Sequence, residues 1–159
     1  MDIICNRTTK IKVIIMMGWI IAIISGALMS IQGVFNTGVT KETSIWVSSG
    51  FVQFTAFLVC MAAWFITGRE SSFGAIFKVE NKYMLLGGAI GAFITYTVIK
   101  SVDSLGPAKA IMLIVTSQLI MAYVIELFGI FGVEQVKFAW RKLIGVILVI
   151  GGIITFKWD

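Results

Sequence analysis

Histidine is absent, and with it the commonest metal ligand and the commonest general base near neutral pH. No GxSxG, HExxH or phosphate-cradling glycine loop stands in its place, so the chain is not expected to be an enzyme or to need a cofactor or metal. Charge is scarce as well. Asp, Glu, Lys and Arg make up 13% of the residues, against roughly 25% in an ordinary soluble domain. Proline occurs once, at Pro107. Of the two cysteines, Cys5 lies in the N-terminal region and Cys60 well inside an apolar run. Their expected depths do not match, so both are read as reduced, with Cys60 a packing residue.

What is abundant is apolar surface: 58% of the 159 residues are hydrophobic and the mean hydropathy is +0.98. Crossing a hydrocarbon layer of ~30 Å takes about 20 helical residues, and five charge-poor runs approach that length. They place transmembrane helices at about 13–35, 45–67, 83–100, 108–128 and 140–157. Helix is the state expected for each, because lipid leaves no partner for unpaired backbone polar groups. The reading is therefore all-α, a polytopic protein of the bilayer with one membrane domain over 1–159 and no space inside it for a soluble one. The fifth run is the shortest. Its uncharged stretch starts at Leu143, so spanning requires Arg141, Lys142 and Lys157 to snorkel.

The net charge of +5 does not imply nucleic acid, because the basic residues stand singly at the ends of apolar runs. With five spans, Arg7, Lys10, Lys12, Arg69, Lys78, Lys82, Lys137, Arg141 and Lys142 share one side, and Lys41, Lys100, Lys109 and Lys157 the other. Nine against four places the N-terminus in the cytoplasm and the C-terminus outside. Trp46, Trp64, Trp140 and Trp158 fall near span ends, as an interfacial aromatic belt requires. The first run is too long, and lacks a cleavage site, for a removed signal peptide. Gly68 to Lys82, with Phe73, Ile76 and Phe77, reads as a cytoplasmic loop carrying a short amphipathic turn at the membrane surface. Gly106-Pro107 breaks the chain into a tight hairpin, with Pro at the first turn of the fourth helix, where its missing N–H costs nothing.

Several faces stand out. Gly18, Ala22, Gly26 and Ser30 recur every four residues, a small-residue ridge that lets another backbone approach closely. Ser25, Gln32 and Asn36 form a polar strip beside it, which either hydrogen-bonds a neighbouring helix or lines a solute cavity. Gly87 and Gly91 form a GxxxG pair, equally suited to dimerisation and to packing within the chain. Trp19 is deeper than a belt residue and either packs in a core or stacks on a solute. Glu126 is the acidic residue set inside an apolar run. A carboxylate in hydrocarbon is costly, so it marks either a proton or solute site or a side chain that reaches the cytoplasmic end to pair with Lys137, Arg141 or Lys142. Gln118, about 12 Å away along the same helix, is placed to share its groove.

The segments LGPAKAIMLIVTSQLIMAYVIELFGIFGVE and WRKLIGVILVIGGIIT, with ISGALMSIQGVFN, SSGFVQF and GGAIGAF upstream, resemble the YdcZ-like family over nearly the whole chain. This family comprises small five-helix members of the drug/metabolite transporter superfamily. The resemblance implies a bacterial inner-membrane protein equivalent to one half of a ten-helix inverted-repeat transporter. It points to Gln32, Asn36, Gln118, Glu126, Gly145, Gly151 and Gly152. The acidic position before the FG pair is often Asp in that family, so Glu126 is a departure that lengthens the reach by one methylene. A half-sized transporter needs a partner, either a second copy in antiparallel orientation or a paralogous five-helix chain. The nine-to-four charge bias favours a single orientation and so weighs against the first, which is nevertheless the arrangement expected.

The function expected is secondary transport of a small organic solute by a dimer, with proton coupling at Glu126. Gln118, Gln32, Asn36 and Trp19 would line the solute site. A passive small-ion channel at a dual-topology dimer seam, or a non-transporting membrane subunit, are the alternatives. Glu126 with aromatic neighbours suits an organic cation, whereas the family resemblance spans solutes of different charge.

Overall fold

The computed structural model describes residues 2–69 and 71–156, with side chains from Val13 onward. Cys5, Arg7, Lys10 and Lys12, whose side chains entered the redox and charge readings, lie outside the described side chains, and Lys157 and Trp158 lie outside the described residues altogether.

Among the described residues there are five α-helices and no strand. They are α1 (Asp2–Glu42), α2 (Ile45–Ile66), α3 (Gly87–Leu105), α4 (Pro107–Phe128) and α5 (Trp140–Phe156). Short 3-10 turns cover Phe73–Lys78, Lys82–Leu86 and Ile130–Gly132. Four of the helical stretches are long and apolar enough to cross a membrane: Val13–Glu42, Ile45–Ile66, Lys82–Leu105 and Pro107–Phe128. The fifth helix has 17 residues, about 26 Å at 1.5 Å per residue, just under the ~30 Å hydrocarbon layer.

Two helices outrun the sequence-based limits. The apolar run that opens α1 ends near Phe35, with the polar Asn36 just beyond it, yet the helix continues to Glu42. The reason is local. The hydroxyls of Thr37, Thr40 and Thr43 each donate to the carbonyl four residues back, on Gly33, Asn36 and Val39, at 2.8 Å. Polar side chains satisfied on their own helix do not break it. Helix α3 likewise passes Lys100 and ends only at Leu105, before Gly106, whose φ of +77° favours glycine. The reversal into α4 needs this one residue, and Pro107 sits in the first turn of α4 as expected. At the other end α1 begins at Asp2, well before Val13.

The packed part of the bundle lies at one end, where α1 and α3 finish and α2 and α4 begin. Helix α3 is central, touching α1, α2 and α4. Ile99, Val102 and Ala110 are buried there together with Asn36, Thr37, Ser48, Ser49 and Thr116. Small side chains and hydroxyls dominate, as expected where lipid removes the hydrophobic drive between helices and close approach must hold them. A Cβ on Gly33 would lie 3.4 Å from Val98 Cγ1 and 3.7 Å from Val102 Cγ2. The Ser48 hydroxyl donates to the Asn36 carbonyl at 3.0 Å, joining α2 to α1. Trp46 stacks on Tyr96 with ring centroids 4.9 Å apart, and the Gln53 amide donates to Thr95 Oγ1 at 3.4 Å, both joining α2 to α3.

Away from that end the helices separate. Every described residue of α1 from Val13 to Met29 is exposed within the chain, including Ile14, Trp19 and Ile23 at 68–70%. Helix α5 packs on α4 and on no other helix among the described residues. In the connection after α2, Trp64 Nε1 donates to the Ser71 carbonyl at 3.0 Å, and the Arg69 guanidinium sits 4.7 Å from the Phe65 ring centroid. The 3-10 turn over Phe73–Lys78 leaves Phe77 fully turned outward.

Candidate functional site

The residues with the most chemistry meet where α4 hands over to α5. Helix α4 ends at Phe128 because Gly129 takes the left-handed conformation, φ +64°, and its N–H closes on the Ile125 carbonyl. The chain then doubles back. Val136 N–H donates to the Glu126 carbonyl at 2.9 Å, and the Gln135 amide to the Leu127 carbonyl at 3.0 Å. Two of the carbonyls that the end of a helix leaves unpaired are thereby satisfied. The Tyr123 hydroxyl accepts the Ala139 N–H at 3.1 Å and fixes where α5 begins. The Ala139 carbonyl in turn accepts from Lys142 N at 3.0 Å in the opening turn of α5.

This route carries Lys142 across to Glu126. Lys142 Nζ lies 2.6 Å from Glu126 Oε2, a charge-assisted hydrogen bond between residues 16 apart in the chain, and 5.2 Å from the Tyr123 ring centroid. Of the three cations near enough in sequence, the structure pairs Glu126 with Lys142. The two side chains are about half exposed, at 43% and 45%. Glu126 therefore sits in the last turn of its helix at the mouth of a cavity, with a counter-charge, rather than isolated in hydrocarbon.

The cavity is a groove of about 380 Å³ between α4 and α5. Leu119, Ala122, Tyr123 and Glu126 line one wall, and Lys142, Gly145, Val146 and Val149 the other. On both helices the spacing is i, i+3, i+4, i+7, a single face in each case. The pair closes one end and the walls beyond it are apolar. Such a site can hold an amphipathic molecule of small size, with charge recognition at one end only.

The other expected site residues lie elsewhere. Gln32 and Asn36 line two cavities beside α1: one along α1 itself, about 580 Å³, with Ser25, and one against α2, about 520 Å³, with Val52, Ala56 and Cys60. Asn36 is buried and Gln32 exposed. Gln118 is exposed and does not line the Glu126 groove, and Trp19, 70% exposed, lines none of these cavities. A single chain thus does not bring Gln32, Asn36, Gln118 and Trp19 to Glu126.

Of the small-residue faces, Gly91 approaches α2, its Cβ position 3.4 Å from Gln53 Nε2, whereas nothing lies within 4 Å at Gly87, Gly18 or Gly26. Ala22 is exposed and Ser30 half-buried, its hydroxyl donating to the Gly26 carbonyl. Gly145, Gly151 and Gly152 are likewise open. Tyr123 had escaped sequence analysis. Its signal was there: a phenol one turn before Glu126 in an otherwise apolar stretch, on the same helix face. Among the described residues no three of His, Cys, Asp and Glu gather into a metal-binding group.

Residues 17–155 match the family model described as "Putative inner membrane exporter, YdcZ". Neither a curated protein nor a solved structure matches the chain. With the family model covering most of the chain and four helices suited to the bilayer, this is a multi-pass inner-membrane protein of the transporter class, and it belongs to the YdcZ family.

Proposed function

We propose that the chain is a half-sized secondary transporter that works as a dimer, exchanging a small organic solute for protons at Glu126. The observation that carries this reading is the Glu126–Lys142 pair at the mouth of the apolar α4–α5 groove. A carboxylate held there has two competitors for the place of Lys142, a proton and a positively charged group of the solute. Binding one excludes the other, which is the requirement for exchange. In this reading α5 is the fifth span, its short apolar length completed by snorkelling of Arg141 and Lys142.

The dimer supplies what one chain does not. The exposed Gly18–Ala22–Gly26 ridge and the open outer faces of α5 are surfaces on which a second copy can seat. We favour an antiparallel second copy, forming the equivalent of a ten-helix inverted repeat, over a paralogous chain of opposite orientation. Such an assembly would bring the Gln32–Asn36 cavities of one copy towards the Glu126 groove of the other, with Gln118 and Trp19 at the rim. One copy then has its N-terminus in the cytoplasm, the orientation that the distribution of Lys and Arg favours, and the other is inserted against that bias.

The test is solute uptake into proteoliposomes across an imposed pH gradient, wild type against Glu126→Gln. Gradient-driven uptake in the wild type and its loss in the variant are expected; full uptake by Glu126→Gln would retire the carboxylate as the coupling group. Flux rising linearly with driving force at channel-like rates would replace the transporter reading by a passive pore.

A further inference from the structure

Resting on the transport reading, we propose that the α4–α5 groove takes a zwitterionic solute with an apolar side chain, its ammonium pairing with Glu126 and its carboxylate with Lys142. The argument begins with charge. The groove offers one anion and one cation in direct contact, 2.6 Å apart, above walls made of Leu119, Ala122, Val146 and Val149. Both side chains are about half exposed, so parting them costs little through burial; what a single-charge solute forfeits is the direct contact itself, because the abandoned charge keeps only water as its partner. A simple organic cation that displaced Lys142 from Glu126 would leave the ammonium of Lys142 in that position. A simple anion would do the same to the carboxylate of Glu126. An uncharged molecule would gain nothing from either and would leave the pair closed over the mouth.

A zwitterion replaces the one internal contact by two external ones, and every charge keeps a partner. Electrostatic complementarity of this kind acts mainly by rejecting wrong partners. The long stem of Lys142 allows its head to move aside without moving α5. The Tyr123 ring, already 5.2 Å from Lys142 Nζ, presents a π face to whichever ammonium occupies the site.

Shape agrees with charge. Glu126 and Lys142 sit at one end, and Leu119 and Val149 lie seven residues further along their helices, about 10 Å at 1.5 Å per residue. Between them Gly145 lines the wall without a side chain, and a Cβ placed there would meet nothing within 4 Å. That gap leaves room for the carbon bearing both charged groups, and the apolar end receives its side chain. A groove of about 380 Å³ is at the small end of ligand sites, suited to a molecule of amino-acid size.

Three probes sharing one aromatic group separate the possibilities: phenylalanine, 2-phenylethylamine and 3-phenylpropanoate, measured by equilibrium dialysis with the purified full chain in micelles. Phenylalanine is expected to bind up to about fivefold more tightly than either single-charge probe, the worth of one further half-exposed ion pair. In Glu126→Gln the order should turn towards 3-phenylpropanoate, and in Lys142→Gln towards 2-phenylethylamine. Equal or tighter wild-type binding of the amine or the acid, no binding of any probe, or variants that keep the wild-type order would each overturn the proposal. Should either variant not fold, the wild-type series alone decides. If phenylalanine binds with this selectivity and is not carried in proteoliposomes, transport falls and the zwitterion site stands. Glu126-dependent flux of another solute, without zwitterion preference in dialysis, gives the reverse result.

Discussion

The Tyr123 hydroxyl on α4 accepts the Ala139 N–H, 16 residues later, at 3.1 Å, and so determines the point from which α5 is launched. Phe138 and Trp140 flank that point, their rings 5.3 Å apart edge to face, and Phe138 lies 6.5 Å from the Tyr123 ring. The register of α5 against α4 follows from this anchor. Lys142 reaches Glu126 because its helix starts where Tyr123 holds it.

Replacing Tyr123 by Phe keeps the ring and removes the acceptor. A loss of about 1 kcal/mol is expected, with an unpaired N–H at the start of α5. Thermal unfolding in detergent should fall slightly, and hydrogen exchange at Ala139 should accelerate while α2 and α3 are unaffected.

Gly129 has φ +64°, and a Cβ there would come within 3.3 Å of Gln135 Cβ and of the Val133 carbonyl. Gly129→Ala is therefore expected to cost about 1–2 kcal/mol from the left-handed backbone, and more from the displaced return strand of the loop. Cross-linking between cysteines placed at 126 and 142 should weaken in the Gly129→Ala background; unchanged cross-linking would show that the loop does not set the pair.

Gly33 tests the packed end. Gly33→Ala puts a methyl group 3.4 Å from Val98 Cγ1 and should be tolerated, whereas Gly33→Leu overpacks α1 against α3 and should cost about 1–3 kcal/mol. The discriminating measurement is the difference in thermal midpoint between the two variants.

Gly18 and Gly26 have free space around them in one chain, so Gly18→Leu and Gly26→Leu should leave the monomer folded. The double variant should nevertheless fail to dimerise if that ridge is where copies meet. Light scattering on detergent-solubilised protein reads both outcomes, and a double variant that remains dimeric would place the contact elsewhere.

The Gly106-Pro107 reversal and the membrane class were legible in the chain. Pro107 cannot sit deeper in a helix, a signal confined to two residues, whereas the cap on α2, Ser44 accepting the Val47 N–H at 3.3 Å, is seen only in the structure. Hydropathy is similarly additive along the chain. The continuation of α1 from Thr37 to Glu42 was not legible, because the apolar run ends near Phe35 and what carries the helix onward is threonine hydroxyls bonded to carbonyls of the same helix.

By itself the sequence determined that this polypeptide is helical and belongs in a bilayer, since each segment must satisfy its own backbone wherever it lies. Only the tertiary structure decided that Lys142, rather than Lys137 or Arg141, meets Glu126, and that Gln32 and Asn36 line cavities of their own. The first outcome depends on the left-handed turn at Gly129 and on the Tyr123 anchor, which set the direction and starting point of α5, and the second on how α1 lies beside α2. Contacts between helices depend on relative placement, and hydrophobic periodicity along one helix carries no information about the side chain that arrives from another.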